Sequence, residues 1–186
     1  APFKMSVGNN NAIALVQHST QNYVDYSLDM GSSWSILYDA NTQTPALSSI
    51  EKVLIGTSKQ FVYGLNMMSQ NVILVSDDGG SSWTQLPDIG SNVMIRNVFI
   101  DHGNTIFAVT TSTIYKWNDI QNMWEQQPVN FSDPNNHVEI AFDESNDIHV
   151  LVRTALSPFP EEGIYASFDG GQTYEYDPFP TINGQV

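Results

Sequence analysis

Three carboxylates occupy the same place in three closely related octapeptides: Asp29 in SLDMGSSW (27 to 34), Asp78 in SDDGGSSW (76 to 83) and Asp169 in SFDGGQTY (167 to 174). Acids beside glycines and hydroxyls could make a calcium loop or a general acid. The calcium-loop pattern D-x-[DN]-x-[DN]-G with its terminal Glu is absent from all three. A catalytic acid is needed once, whereas this acid returns each time with its Ser, its Gly and its final aromatic. The chemistry that repetition favours is structural. Asp29, Asp78 and Asp169 accept main-chain N–H bonds, Ser27, Ser76 and Ser167 add a side-chain bond, and Gly31, Gly80 and Gly171 supply a positive φ. Trp34, Trp83 and Tyr174 are expected to bring a large apolar ring under the turn, each contributing about 2 kcal/mol. No catalytic residue, metal ligand or cofactor is assigned. His18 lies near Asp25, and His102, His137 and His149 lie near carboxylates, but none shows the spacing of a metal site.

These residues need elements to hold them at regular intervals. WNDIQNMW (117 to 124) is a fourth, eroded copy that keeps Asp119 and Trp124 and loses the Ser, the Gly and the hydroxyl, which predicts a looser turn there. The final aromatics then recur at spacings of 49, 41 and 50 residues, the period of a propeller blade or solenoid unit. A second register agrees. The apolar pairs Val7/Ile13, Ile55/Phe61, Ile100/Ile106 and Phe142/Ile148 each bracket a short polar linker, the signature of a hairpin that opens every repeat. Between hairpin and octapeptide, NVILVS, TIFAVTT and IHVLVR read as strands buried on both faces. The segments after each octapeptide alternate, as an edge strand with one wet face would. The expected architecture is all-β: a propeller of four-stranded antiparallel blades at roughly 1–44, 45–90, 91–133 and 134–186. It is either a closed small ring or part of a larger one.

The octapeptide resembles the Asp-box, or BNR repeat, of sialidase-like and sortilin-like β-propellers, and the resemblance covers the chain as a repeat scheme. It implies that each box forms the turn between the third and fourth strands of a blade. It does not imply an activity, since the fold hosts many. Sialidases of this kind use three arginines for the substrate carboxylate, and this chain has only Arg96 and Arg153. A sialidase is therefore not expected.

Composition narrows the partners. The net charge is −14, from 20 acidic and 6 basic residues, which argues against nucleic acid and anionic membrane as partners because phosphates must be met by Lys and Arg. With 41% hydrophobic and 14% charged residues and no cysteine, the 186-residue chain is expected to pack a core without disulfides or thiolate metal sites. No apolar run approaches the ~20 residues of a membrane-spanning helix. Opening on Ala1 rather than methionine reads as a processed or excised start.

Function is expected on the face opposite the octapeptides, where the loops between second and third strands lie. Three of these loops are short. The fourth, ALSPFPEEG (155 to 163), is an insertion whose prolines flank Phe159 beside Glu161 and Glu162, and it is the first candidate contact surface. Met67 and Met68 are expected to cap the core, with an adaptable contact patch as the alternative. The reading is a non-catalytic interaction or scaffold module, secreted or on a cell or particle surface, with a protein or glycan partner. A homo-oligomer or a larger assembly such as a virion or appendage fits the same pattern. The alternative is a carbohydrate-active enzyme or glycan-binding module.

Overall fold

A computed structural model of the chain describes residues 4–7, 13–18, 22–90, 93–131, 137–153 and 163–178. These residues form sixteen strands and, among them, no helix. The first sheet is built from β1 (Lys4–Val7), β2 (Ile13–His18), β3 (Asn22–Ser27) and β4 (Ser35–Asp39), and the second from β5 (Ser49–Ile55), β6 (Gln60–Leu65), β7 (Asn71–Ser76) and β8 (Thr84–Gln85). The third holds β9 (Ile95–Ile100), β10 (Ile106–Thr110), β11 (Thr113–Asn118) and β12 (Met123–Asn130). The fourth holds β13 (His137–Phe142), β14 (Ile148–Arg153), β15 (Gly163–Ser167) and β16 (Glu175–Pro178). In every sheet consecutive strands pair antiparallel, so each is an up-and-down meander of the kind that forms a propeller blade. The first and last sheets are each complete from their own four strands.

Short polar linkers close the opening hairpins by side-chain capture of the backbone. The Asp101 carboxylate accepts from the Thr105 N–H at 2.7 Å and the Asp143 carboxylate from the Asp147 N–H at 2.9 Å. Asn104 and Asn146 take the left-handed conformation that the turns require, each at φ 69. The paired apolar residues face each other as expected in three hairpins: Val7 with Ile13, Ile100 with Ile106, Phe142 with Ile148. The second hairpin differs. There Gly56 N–H bonds the Lys59 carbonyl, the linker ends one residue sooner, and Ile55 is opposite Gln60 while Leu54 takes Phe61.

The chain divides into two compact units, Ala1–Asp88 with His102–Asn104, and Ile89–Asp101 with Thr105–Val186. In the first unit Ala14, Val24, Leu37 and Tyr38 of the first sheet pack with Val53, Val62, Val72, Leu74 and Trp83 of the second. In the second unit Phe107, Val109, Ile114 and Val129 pack with Val138, Ile140, Val150 and Val152. Strand β10 is buried along its whole length, as its apolar run predicts. Strand β14 is not: Ile148, Val150 and Val152 are buried while His149 and Leu151 are half-buried, so only one of its faces is covered. The fourth strands also depart from a uniform edge pattern. Strand β12 alternates, β4 buries the adjacent Leu37 and Tyr38 through a bulge, and β16 is exposed at all four positions.

Replacing Phe107 with Ala should lower unfolding free energy by ~3–5 kcal/mol, because a fully buried ring leaves a cavity. The exposed Ile120, changed to Ala, should stay within ~0.5 kcal/mol of the parent in the same urea titration.

Candidate functional site

Each intact octapeptide is a turn joining the third strand to the fourth, wired identically. In the second sheet the Ser76 hydroxyl donates to Asp78 Oδ1 at 2.8 Å and accepts from the Gly80 N–H at 2.8 Å. Asp78 Oδ1 also takes the Ser82 N–H at 2.9 Å, and Oδ2 takes the Ser82 hydroxyl at 2.6 Å. The first sheet repeats this with Ser27, Asp29, Gly31 and Ser33, and the fourth with Ser167, Asp169, Gly171 and Thr173. The hydroxyls of Ser33, Ser82 and Thr173 are therefore full members of the site. Their signal in the sequence is the Ser or Thr that always precedes the final aromatic. The indole N–H of Trp34 and of Trp83 closes the turn on the Gly31 and Gly80 carbonyls at 3.0 and 3.2 Å.

This wiring decides the chemistry. The hydroxyl and N–H of the following Ser or Thr, with the preceding Ser hydroxyl, hold Asp29, Asp78 and Asp169 at about 2, below their ordinary 3.8. An acid of that strength stays ionised at neutral pH and donates no proton. Both of its oxygens already serve the turn. Among the described residues no group of three His, Asp or Glu side chains could hold a metal ion.

The eroded third copy is tighter than expected, not looser. Strands β11 and β12 pair up to Asn118 opposite Met123, with Trp117 directly opposite Trp124 and their rings 5.2 Å apart. Asn118 does the work of the lost Ser and Gly: its Oδ1 accepts from the Ile120 and Gln121 N–H groups at 3.0 Å, and Asn122 takes φ 53. Asp119 receives the Trp117 indole N–H at 2.7 Å.

The glycines and aromatics show what lies over each turn. In the first unit a Cβ on Gly80, which sits at φ +91, would lie 2.6 Å from the Leu37 carbonyl of β4. Gln43 donates to the Gly80 carbonyl at 2.9 Å, and Trp83 meets Tyr38 edge to face at 5.3 Å. Trp83 is 7% exposed. In the second unit a Cβ on Gly171 would run into Gln127 Oε1 of β12, and Lys116 Nζ donates to the Gly170 carbonyl at 2.8 Å. Tyr174 packs on that unit's core, and burial raises its hydroxyl's pKa. Among the described residues Gly31 meets only its own Trp34, which is 42% exposed. The expectation of a ring tucked under every turn therefore fails at Trp34, because burial comes from the neighbouring sheet.

A cleft of about 510 Å³ lies in the second unit beside the Asp169 turn, lined by Lys116, Glu125, Gln127, Asp169 and Gly171 among others. Its charged groups are committed to the fold: Lys116 to Gly170, Asp169 to its turn, and Glu125 to the Asn118 amide at 2.6 Å.

On the opposite edge, Met67 and Met68 do not cap the core. They stand 79% and 75% exposed in the loop joining β6 to β7. Asn66 organises that loop, its Oδ1 accepting from the Met68 and Gln70 N–H groups at 2.9 and 3.0 Å. Its carbonyl takes the Ser69 N–H at 3.0 Å and the Ser48 hydroxyl at 2.6 Å. His18 ends β2, and its side chain lies outside the described residues, as do Phe159, Glu161 and Glu162. His149 pairs with Asp143 at 3.7 Å and His137 with Glu139 at 3.1 Å. No helix among the described residues is long and apolar enough to cross a membrane.

No protein-family model matches the chain, and no curated protein matches it either. Solved structures do match in fold. YCF48 bound to D1 peptide is 16% identical with a TM-score of 0.58, over 93% of this chain and 52% of that one. YCF48 from Cyanidioschyzon merolae is 15% identical with a TM-score of 0.55, over 94% and 58%. The extracellular domain of the putative one component system BT4673 from B. thetaiotaomicron is 12% identical with a TM-score of 0.60, over 97% and 23%. The chain thus spans between about a quarter and three fifths of the length of these structures. With the four antiparallel four-stranded sheets, these matches make the fold a β-propeller.

Gly31→Ala should cost ~1–2 kcal/mol from its positive φ, whereas Gly80→Ala should cost a further ~1–3 kcal/mol from collision with Leu37; urea unfolding of both variants measures the gap. The three turn carboxylates have folded pKa values below the unfolded one, so their stabilisation is complete above pH ~4 and is lost as pH falls towards ~2. The urea midpoint should fall across that window, and Asp78→Asn should start lower and fall less.

Proposed function

We propose that the chain is a non-catalytic propeller module that binds a partner protein on the edge carrying the loops between second and third strands. The observation that carries this is the pair Met67 and Met68, adjacent and largely exposed on a loop whose backbone is held by Asn66. Exposed apolar side chains on a preorganised loop gain by being covered, and a flexible thioether adapts to varied surfaces without the loop paying ordering entropy. The net charge of −14 favours a partner whose contact rim is basic.

The 155 to 163 insertion, with Phe159, Glu161 and Glu162, is a second contact segment in this reading. The turn wiring at Asp29, Asp78 and Asp169 supports assigning the octapeptides to the Asp-box repeats. A site outside the cell or on a particle surface fits the same picture. Two fold neighbours lend it support: YCF48 is seen with a peptide bound, and the BT4673 neighbour is an extracellular domain.

The test is peptide display selected on the full chain, followed by affinity measurement on Met67→Ser/Met68→Ser. The double variant should keep its melting temperature and bind the selected peptides at least ~10-fold more weakly. Unchanged affinity would refute the reading.

A further inference from the structure

All six methionines of the chain stand outside its core. Met5, Met30, Met67, Met68, Met94 and Met123 are between 49% and 79% exposed, while the buried clusters of both units are built from aliphatic and aromatic side chains without sulfur. The chain has no cysteine. The thioethers are therefore its only sulfur atoms, and each belongs to a side chain that meets solvent. A methionine inside a core fills gaps in the packing, and oxidising it breaks that packing. Here sulfur can gain an oxygen without disturbing a buried contact.

Met67 and Met68 are the most exposed of the six, at 79% and 75%, and the only two adjacent in the chain. The loop that carries them takes its shape from main chain, amides and a hydroxyl. Asn66 Oδ1 accepts from the Met68 and Gln70 N–H groups, and the Asn66 amide donates to Gln70 Oε1 at 3.0 Å. The Leu65 and Asn66 carbonyls take the Ser48 hydroxyl at 3.1 and 2.6 Å. Ser69 closes the turn at φ 60 with its N–H on the Asn66 carbonyl. What methionine gives to this network is a main-chain N–H, not a side chain. Changing the two side chains alters what the loop offers a partner and leaves the loop in place.

Sulfoxidation reverses the property on which contact depends. The sulfur lone pair attacks one oxygen of hydrogen peroxide, the O–O bond breaks as the S–O bond forms, and a proton shift lets water leave. Sulfur loses two electrons and the peroxide gains them. The product carries a polar oxygen where an apolar surface stood, and burying that oxygen against a partner is costly unless a donor meets it.

We propose that Met67 and Met68 are an oxidation-sensitive contact switch: peroxide converts both to sulfoxides and releases the partner protein while the propeller stays folded. The switch rests on the contact reading proposed above and adds its regulation. Reduction of the sulfoxides by a methionine sulfoxide reductase restores the thioethers, so the release is reversible.

The full chain treated with hydrogen peroxide tests it, with oxidised positions mapped by peptide mass spectrometry and affinity measured for the display-selected peptides. Met67 and Met68 should be oxidised at least as fast as the other four methionines, and circular dichroism should show the fold retained. Affinity should fall at least ~10-fold and return after treatment with the reductase. Met67→Leu/Met68→Leu keeps the apolar surface and cannot be oxidised at these positions, so its affinity should be the same before and after peroxide. An oxidised parent that binds as before overturns the switch. So does a leucine variant that loses affinity in peroxide as the parent does, or a parent that unfolds on oxidation. Unchanged affinity in Met67→Ser/Met68→Ser removes the contact reading and the switch with it, whereas affinity lost in that variant and kept in the oxidised parent removes the switch alone.

Discussion

A carboxylate held by its own turn is the constraint on which this molecule rests. Asp29, Asp78 and Asp169 each gather a hydroxyl from two residues before, and an N–H and a hydroxyl from four residues after, so eight residues fold into one hydrogen-bonded unit. The serine works in both directions, giving to the acid and taking the glycine N–H. That leaves the glycine carbonyl and its bare Cα facing outward. A side chain there would block the approach that Leu37 and Gln127 make. The turn is thus both the clasp of its own sheet and the seat for the sheet before it.

Because the internal wiring is the same everywhere, differences between copies report their surroundings. Trp83 is buried and Trp34 is not, although each donates to the equivalent carbonyl. Lys116 and the three turn aspartates are engaged in these contacts, and the aspartates stay ionised at neutral pH. The contact surface proposed above lies on the other edge of the sheets, where Asn66 holds a loop that presents two methionines to solvent.

How much of this could be seen in the sequence follows from how local each feature is. The turn wiring needs only residues within eight positions, so the octapeptide announces it, and the period of its returns announces the four sheets. The third turn is not legible from the octapeptide because a different local device, Asn118 with Asn122 at positive φ, replaces Ser and Gly without looking like them. The second hairpin slipped by one because Gln60 belongs to a strand and not to its linker. Burial of Trp34, Met67 and Met68 was the least legible, since it depends on which distant segment arrives, and Gln43, Lys116 and Gln127 carry no mark of the turns they reach.

The central claim is that these aspartates fasten main chain and do nothing else. Carbon-detected NMR titration of the side-chain carboxyls reads it residue by residue. The account predicts that Asp29, Asp78 and Asp169 titrate at about 2 and that their signals ignore added calcium or simple sugars. Titration near the ordinary 3.8, or a shift of all three signals on adding calcium, would contradict it.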